Sequence, residues 1–221
     1  MEALSIIAEQ VHKEFEVRTK ARDQALAQAR QLTRHSAHAI RAIHRSEHDL
    51  AYQHLSEGRL LVDDLRLNLA AYPELYYAGY TQDAIKEFVE ANITCALIED
   101  QALPTPEGLQ VEYATYLNGL AECAGELRRR CLDILRQGYS QEAERLLACM
   151  DDIYGLLVTV DYPDAITNGL RRQTDLVRGI VERTRGDMTI SQREQRLQES
   201  IVALQSQLLQ QGVHLADDSS L

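Results

Sequence analysis

Apolar residues recur along this chain at intervals of three and four, the repeat of an α-helix, and no run of β-branched and aromatic residues shows the strict alternation of a strand. A first helix is expected over about residues 2–45, which contain neither Pro nor Gly. Ser46 is placed to cap the next helix, with Asp49 three residues on in the capping-box position, and that helix runs to about residue 71 with Gly58 as a weak point. Tyr72-Pro73 breaks the chain, because a residue before proline avoids the α region. Residues 73–79 read as a short helical turn, and Thr81 as the cap of a helix over about residues 82–101.

The segment LPTPEG at 103–108 is the clearest loop. A long helix is expected after it, over about residues 109–137, closed by Gly138 just past its end. Ser140 opens another, to about residue 160, and Pro163 suits the first turn of a helix reaching about residue 185. A last helix starts near Ser191, and residues 214–221 form a frayed tail to a single domain of residues 1–213. The predicted fold is all-α, an antiparallel bundle of about seven helices.

Composition agrees: 4 Pro and 11 Gly in 221 residues leave long uninterrupted helices possible. The net charge of −11 argues against a generally basic nucleic-acid coat and against adhesion to an anionic membrane, while leaving room for a local basic face. No apolar stretch approaches the ~20 residues of a membrane span. The first ten residues carry no basic region and no small-residue cleavage pattern, so a cytoplasmic protein is expected. Cys95, Cys123, Cys131 and Cys149 lack disulfide or zinc-finger spacing and read as buried reduced thiols.

Charge is not spread evenly. Between residues 17 and 45 there are seven Lys/Arg and one acid, Asp23, and six of the seven histidines lie between His12 and His54. At 100° per residue, Arg30, Arg34, His38, Arg41, Arg45 and His48 fall within a sector of roughly 80°, opposite Ala25, Leu32, Ala39, Ile43 and Leu50. Such a stripe suits phosphate oxygens, which arginine forks bind in pairs. It equally suits a solvated helix face, or one paired with acids of a neighbouring subunit.

Two glutamate pairs occupy one face each of two helices. Glu87 and Glu90 lie largely opposite the apolar Ile85, Phe88, Val89, Ile93 and Ala96, with Thr94 and Ile98 continuing their stripe. Glu122 and Glu126 lie opposite Leu117, Leu120, Ala124, Leu127, Cys131 and Leu135, flanked by Thr115, Gly119 and Arg129. Brought together, the pairs suit Mg²⁺ or Mn²⁺, hard cations that prefer carboxylate and water oxygens. On spacing alone, the same pairs also describe ordinary exposed helix faces. A di-iron site would need E-x-x-H from two helices, and no His follows any of the four glutamates at that spacing. Nor is there a glycine-rich phosphate loop. The tyrosines at 72, 76, 77 and 80 read as packing, and nothing in the sequence brings Asp151 and Asp152 to the acids.

The segment YLNGLAECAGELRRRCLDIL, 116–135, resembles the translin family, whose members carry a matching Y-L-x-G…(S/G)-E-L-x-R stretch after the central loop. The likeness extends in collinear order to VRTKARDQALAQARQLTRHSAHAIRAIHR, YPELYYAGYTQDAIKEFVEA and LRRQTDLVRGIVERTRGDM, and so spans most of the chain. One branch of the family, translin, binds single-stranded RNA and DNA. The other, translin-associated factor X, supplies a metal-dependent endoribonuclease centre built from E-x-x-E on one helix and D-x-x-x-E on another. Glu87 and Glu90 match the first motif and Glu126 the second, while Glu122 stands where that motif has aspartate, one methylene longer in the arm.

The resemblance implies a hollow octamer, here a homo-octamer, with RNA on its basic interior. It favours a Mg²⁺-dependent (or Mn²⁺-dependent) endoribonuclease on single-stranded or structured small RNA. Glu87, Glu90, Glu122 and Glu126 would be catalytic residues and metal ligands, and Arg30, Arg34, His38, Arg41 and Arg45 RNA-binding residues. The alternatives are a non-catalytic sleeve for single-stranded RNA or DNA, and a structural oligomer held by intersubunit ion pairs. None involves a membrane.

Overall fold

The computed structural model describes residues 1–210; residues 211–213 of the expected domain and the expected tail lie outside the described residues. Among the described residues there are helices and no strands: α1 Glu2–His44, α2 His48–Asn68, α3 Pro73–Tyr76, α4 Gly79–Ile98, α5 Pro106–Leu109, α6 Tyr113–Leu135, α7 Gln141–Leu157, α8 Asp164–Thr167 and α9 Leu170–Gln210. Six are long and three are single turns, against the seven or so expected.

Several boundaries differ from expectation for identifiable reasons. Ser46 does not cap α2. It takes a left-handed conformation, φ 59°, that turns the chain between α1 and α2, and Glu47 stands at the N-cap with no side-chain bond. Thr81 lies inside α4, where its hydroxyl donates back to the Leu75 carbonyl instead of capping. LPTPEG is not all loop, since Thr105 caps the single turn α5 by accepting from the Gly108 amide. Pro163 precedes α8 as its N-cap. The two last helices expected are one, because Gly186 and the polar residues around Ser191 are carried through a 41-residue α9. Ser140 does cap α7, accepting from the Glu142 amide, and Gly138 takes the positive φ, 114°, that ends α6.

The core is built around α4, which packs on α1, α2 and α6, while α6 packs in turn on α7 and α9. α4 is buried on most of its circumference, through Ala84, Ile85, Phe88, Val89, Ala91, Ile93, Thr94, Cys95, Ala96 and Ile98. Two glycines set the spacing. A Cβ on Gly58 of α2 would meet the Phe88 ring at 3.0 Å, so the expected weak point is the socket for the largest core side chain. A Cβ on Gly119 of α6 would lie 2.8 Å from both the Lys86 carbonyl and a Val89 methyl, so only glycine allows α4 and α6 to approach this closely.

The four cysteines are free thiols. Burial pushes Cys95 and Cys131 up to about 12, which keeps them protonated and unreactive. The first half of α1 stands outside this core: Leu4, Ile7, Val11 and Phe15 are exposed, and α1 begins to bury side chains only at Ala25. The far half of α9, with Leu197, Ile201, Val202 and Leu204, is exposed likewise. No described helix is long and apolar enough to cross a membrane.

Candidate metal and nucleic-acid site

The close contact at Gly119 decides where the glutamates lie. Gly119 is one turn before Glu122 on α6 and touches the α4 turn that carries Lys86 and Glu87, so the two pairs face one another across the α4–α6 seam. They are not on the ordinary exposed faces that spacing alone also allowed. Thr94, Ile98, Thr115 and Gly119, which continue or flank their stripes, are all buried, and the four glutamates are half-buried. α4 and α6 each have packed neighbours on more than one side, and a single apolar stripe does not reveal the second.

Each acid has its own surroundings. Glu122 accepts from Lys86 Nζ at 2.8 Å and from Gln173 Nε2 of α9 at 3.1 Å. Glu126 accepts from His44 Nε2 of α1 at 2.6 Å and from Arg129 at 3.5 Å. The His44 contact holds Glu126 below the usual carboxylate range. Glu90 goes the other way: burial first, then the charges of Glu122, Glu126 and Glu87, push it up to about 8. Burial also raises Glu87, against the pull of the Thr33 hydroxyl on α1 and of Lys86. Burial pulls Lys86 down, but the hydrogen bond and charge of Glu122, with the charges of Asp83 and Glu87, together outweigh it and leave Lys86 raised.

Four helices thus converge: Thr33 and His44 from α1, Lys86, Glu87 and Glu90 from α4, Glu122 and Glu126 from α6, and Gln173 from α9. The sequence pattern does not point to Thr33, His44, Lys86 or Gln173. His44 has no helical spacing from any of the glutamates; its one signal is its place eleven residues, three full turns, from Thr33 on one face of α1.

The donor set is all oxygen and carries more negative charge than its neighbours neutralise, which suits a hard divalent cation. Lys86 supplies the counter-charge at Glu122, and no three of these glutamate oxygens lie within 4.8 Å of one another. A carboxylate can only accept, so His44 Nε2 donates to Glu126, while His44 Nδ1 is buried without a partner.

Arg30, Arg34, Arg41 and Arg45 are all exposed on one stripe of α1, roughly 80° round the helix from the edge that carries Thr33 and His44. The basic stripe therefore borders the acid cluster. His38 lies half-buried beside it, with its ring edge-on to that of His54, 5.0 Å between centroids. His48 leaves the stripe, because the turn at 45–47 redirects the chain, and it pairs with Glu99. Asp151 pairs with Arg185.

A scan against models of known protein families finds no match. The crystal structure of AfC3PO superposes with a TM-score of 0.78 at 34% identity, over 84% of this chain and 97% of that one. The chain belongs to the C3PO/translin family. AfC3PO in complex with duplex RNA superposes equally well, at a TM-score of 0.78 over 84% of this chain and 96% of that one. Apo-NeC3PO, at 21% identity, shares the fold with a TM-score of 0.76 over 83% of this chain. A family relative among curated proteins is the uncharacterized protein MJ0175 of Methanocaldococcus jannaschii, 34% identical over 192 residues, which are 86% of this chain and 85% of that protein.

Proposed function

We propose that this protein is a cytoplasmic, metal-dependent endoribonuclease that acts on single-stranded or structured small RNA as a homo-octamer. The observation that carries the reading is the meeting of Glu87, Glu90, Glu122 and Glu126 across one seam, beside an arginine stripe with no acid paired to it among the described residues. Arg18 on the same helix, by contrast, is paired to Glu14 and Glu74. The complex of AfC3PO with duplex RNA supports RNA as the partner.

The four glutamates would hold Mg²⁺ or Mn²⁺, which lowers the pKa of bound water and offsets charge developing on a phosphoryl group. The chain's own residues prepare for that chemistry. Glu90 retains a proton to about 8 among three other carboxylates, so it is the one poised to exchange a proton for a cation near neutrality. His44 fixes the orientation of Glu126, and Gln173 fixes Glu122. Lys86 holds Glu122 from the α4 side and would supply positive charge beside a bound phosphate. Arg30, Arg34, Arg41 and Arg45 lay the backbone along α1 beside the acids, with His38 at their edge. The exposed apolar halves of α1 and α9 offer the area that assembly into a closed oligomer would bury.

Cleavage of a labelled single-stranded RNA by wild type and Glu126→Gln, with Mg²⁺ or with EDTA, tests the reading. Loss of cleavage in both the variant and EDTA is expected, and cleavage surviving both overturns it. RNA binding with no turnover at any divalent ion would leave the translin-like binding sleeve, which the same exposed arginine stripe favours.

A further inference from the structure

Most histidines of this chain play no part in the acid cluster, yet they are not scattered. The sequence carries H-x-x-H at 35–38 on α1 and H-x-x-E at 54–57 on α2, and the α1–α2 packing sets the two against each other. His35 Nδ1 lies 3.1 Å from His54 Nδ1 and 2.8 Å from Glu57 Oε2, and His54 Nδ1 lies 3.6 Å from that same oxygen. Among the described residues this is the one set of three His, Cys, Asp or Glu side chains whose ligand atoms all lie within 4.8 Å of one another.

We propose that His35, His54 and Glu57 form a second metal site, for a borderline-soft divalent ion such as Zn²⁺, separate from the carboxylate cluster.

Hydrogen bonding alone serves this triangle poorly. Each neutral imidazole has one N–H and one lone pair, and here both Nδ1 atoms and a carboxylate oxygen converge on one point. At most one hydrogen at His35 Nδ1 would have to satisfy two neighbours. A metal ion accepts all three lone pairs at once. Ligands bonded at about 2.1 Å in a tetrahedral site stand roughly 3.4 Å apart, and the three observed edges of 2.8, 3.1 and 3.6 Å bracket that spacing. Three ligands are present, a tetrahedral ion would take its fourth from water or a neighbouring side chain, and His38 stands edge-on to His54. Side-chain exposures of 26% for His35, 16% for His54 and 42% for Glu57 leave a path for the ion.

The donor types separate this site from the acid cluster. Two imidazoles and one carboxylate suit Zn²⁺ or Co²⁺, whereas oxygen-only donors suit Mg²⁺ or Mn²⁺. Position separates them as well. His35 lies about 160° round α1 from Thr33 and about 180° from His44, on the opposite flank of the helix. With one ligand on α1 and two on α2, a bound ion would clamp the first two helices together, on the side of the arginine stripe away from the acid cluster.

Full-length protein stripped of metal and freed of chelator is titrated with Co²⁺ as a visible probe and with Zn²⁺ by calorimetry and thermal melting. Wild type should bind Co²⁺ with ligand-field absorption, release it to Zn²⁺ but not to excess Mg²⁺, and gain thermal stability with Zn²⁺. His35→Ala, His54→Ala and Glu57→Gln should each weaken binding by about 100-fold or more and lose the Zn²⁺-dependent gain. Glu57→Gln keeps the shape of the side chain and guards against simple misfolding. Glu90→Gln and Glu126→Gln should leave the Co²⁺ spectrum unchanged. No Co²⁺ absorption in wild type, absorption that persists in the histidine variants, or absorption lost in the Glu90 or Glu126 variants would overturn the site; the last would place the Co²⁺ at the acid cluster, and the first two leave Mg²⁺-dependent cleavage untouched.

Discussion

His44 near the end of α1 and Glu126 in the middle of α6 are 82 residues apart in the chain, and their Nε2 and Oε2 atoms lie 2.6 Å apart. The histidine side chain is only 3% exposed, and Glu126 is its hydrogen-bond partner among the described residues. It touches Glu126 and holds that carboxylate ionised and aimed into the α4–α6 seam. His44 is therefore a positioning residue for a proposed ligand.

Replacing His44 with Gln should slow Mg²⁺-dependent RNA cleavage by roughly 10- to 100-fold, the usual effect of removing a group that orients a metal ligand. RNA affinity, measured by fluorescence anisotropy, should change by less than about twofold, because the proposed phosphate contacts lie elsewhere on α1. Equal losses in affinity and cleavage would assign His44 to RNA binding instead.

Glu90 makes the ion-free protein sensitive to pH. Its value of about 8 in the folded chain, against an ordinary 4.5, means the folded state holds the proton over a window where the unfolded state has released it. From this group, stability is greatest below about 4.5, falls as pH rises towards about 8, and is level above. Each pH unit in the window costs at most about 1.4 kcal/mol, and the half-exposed site lowers the total to a few kcal/mol. Denaturant titrations in EDTA at the two ends of the window should show this fall. In Glu90→Gln it should vanish, leaving the variant more stable than wild type at the alkaline end. Glu87, Glu122, Glu126, Lys86 and His44 face the same seam.

Gly119 and Gly125, both on α6, should answer oppositely to alanine. At Gly119 the new methyl would sit 2.8 Å from the Lys86 carbonyl and force α4 and α6 apart, at a cost of about 1–3 kcal/mol. At Gly125 it would meet nothing within 4 Å, and the gain in helix propensity should raise stability by about 0.5–1 kcal/mol. Melting temperatures of the two variants decide it; a neutral Gly119→Ala would refute the close-packing account of how the glutamate pairs meet.

The arginine stripe should show itself in salt dependence. Converting Arg34 and Arg41 to Ala should flatten the plot of log affinity against log salt for single-stranded RNA by about 0.7 for each phosphate that these side chains neutralise, without regard to sequence. An unchanged slope would mean that these exposed arginines serve an intersubunit contact.

Much is legible from the chain alone. The absence of Pro and Gly over the first 45 residues forces one long α1, and Ser140 and Gly138 carry their own start and stop signals. Helix existence follows from local backbone preference and apolar repeat, and both are properties of neighbours in sequence. The glutamate spacing likewise puts each pair on one face. Ser46 and Thr81 depart from expectation because capping chemistry is only one use of their side chains, and tertiary contacts give one a left-handed turn and the other a bond to Leu75. The expected break in α9 is absent because a glycine at 186 weakens a helix without ending it once Met188 and Val181 are packed on the core.

Local order along the chain is thus enough for the helices, the family resemblance, and the choice of four carboxylates and a row of arginines to watch. It leaves open whether those carboxylates face water or one another, because one helix's periodicity gives an angle about its own axis and nothing about its neighbour. The packing of α4 on α6 answers that question: the missing Cβ of Gly119 lets Glu87 and Glu90 lie against Glu122 and Glu126. Lys86 reaches Glu122 across the α4–α6 seam, and the packing of α1 and α9 around it brings in His44 and Gln173, whose distance along the chain hides a contact that the field of the cluster makes strong.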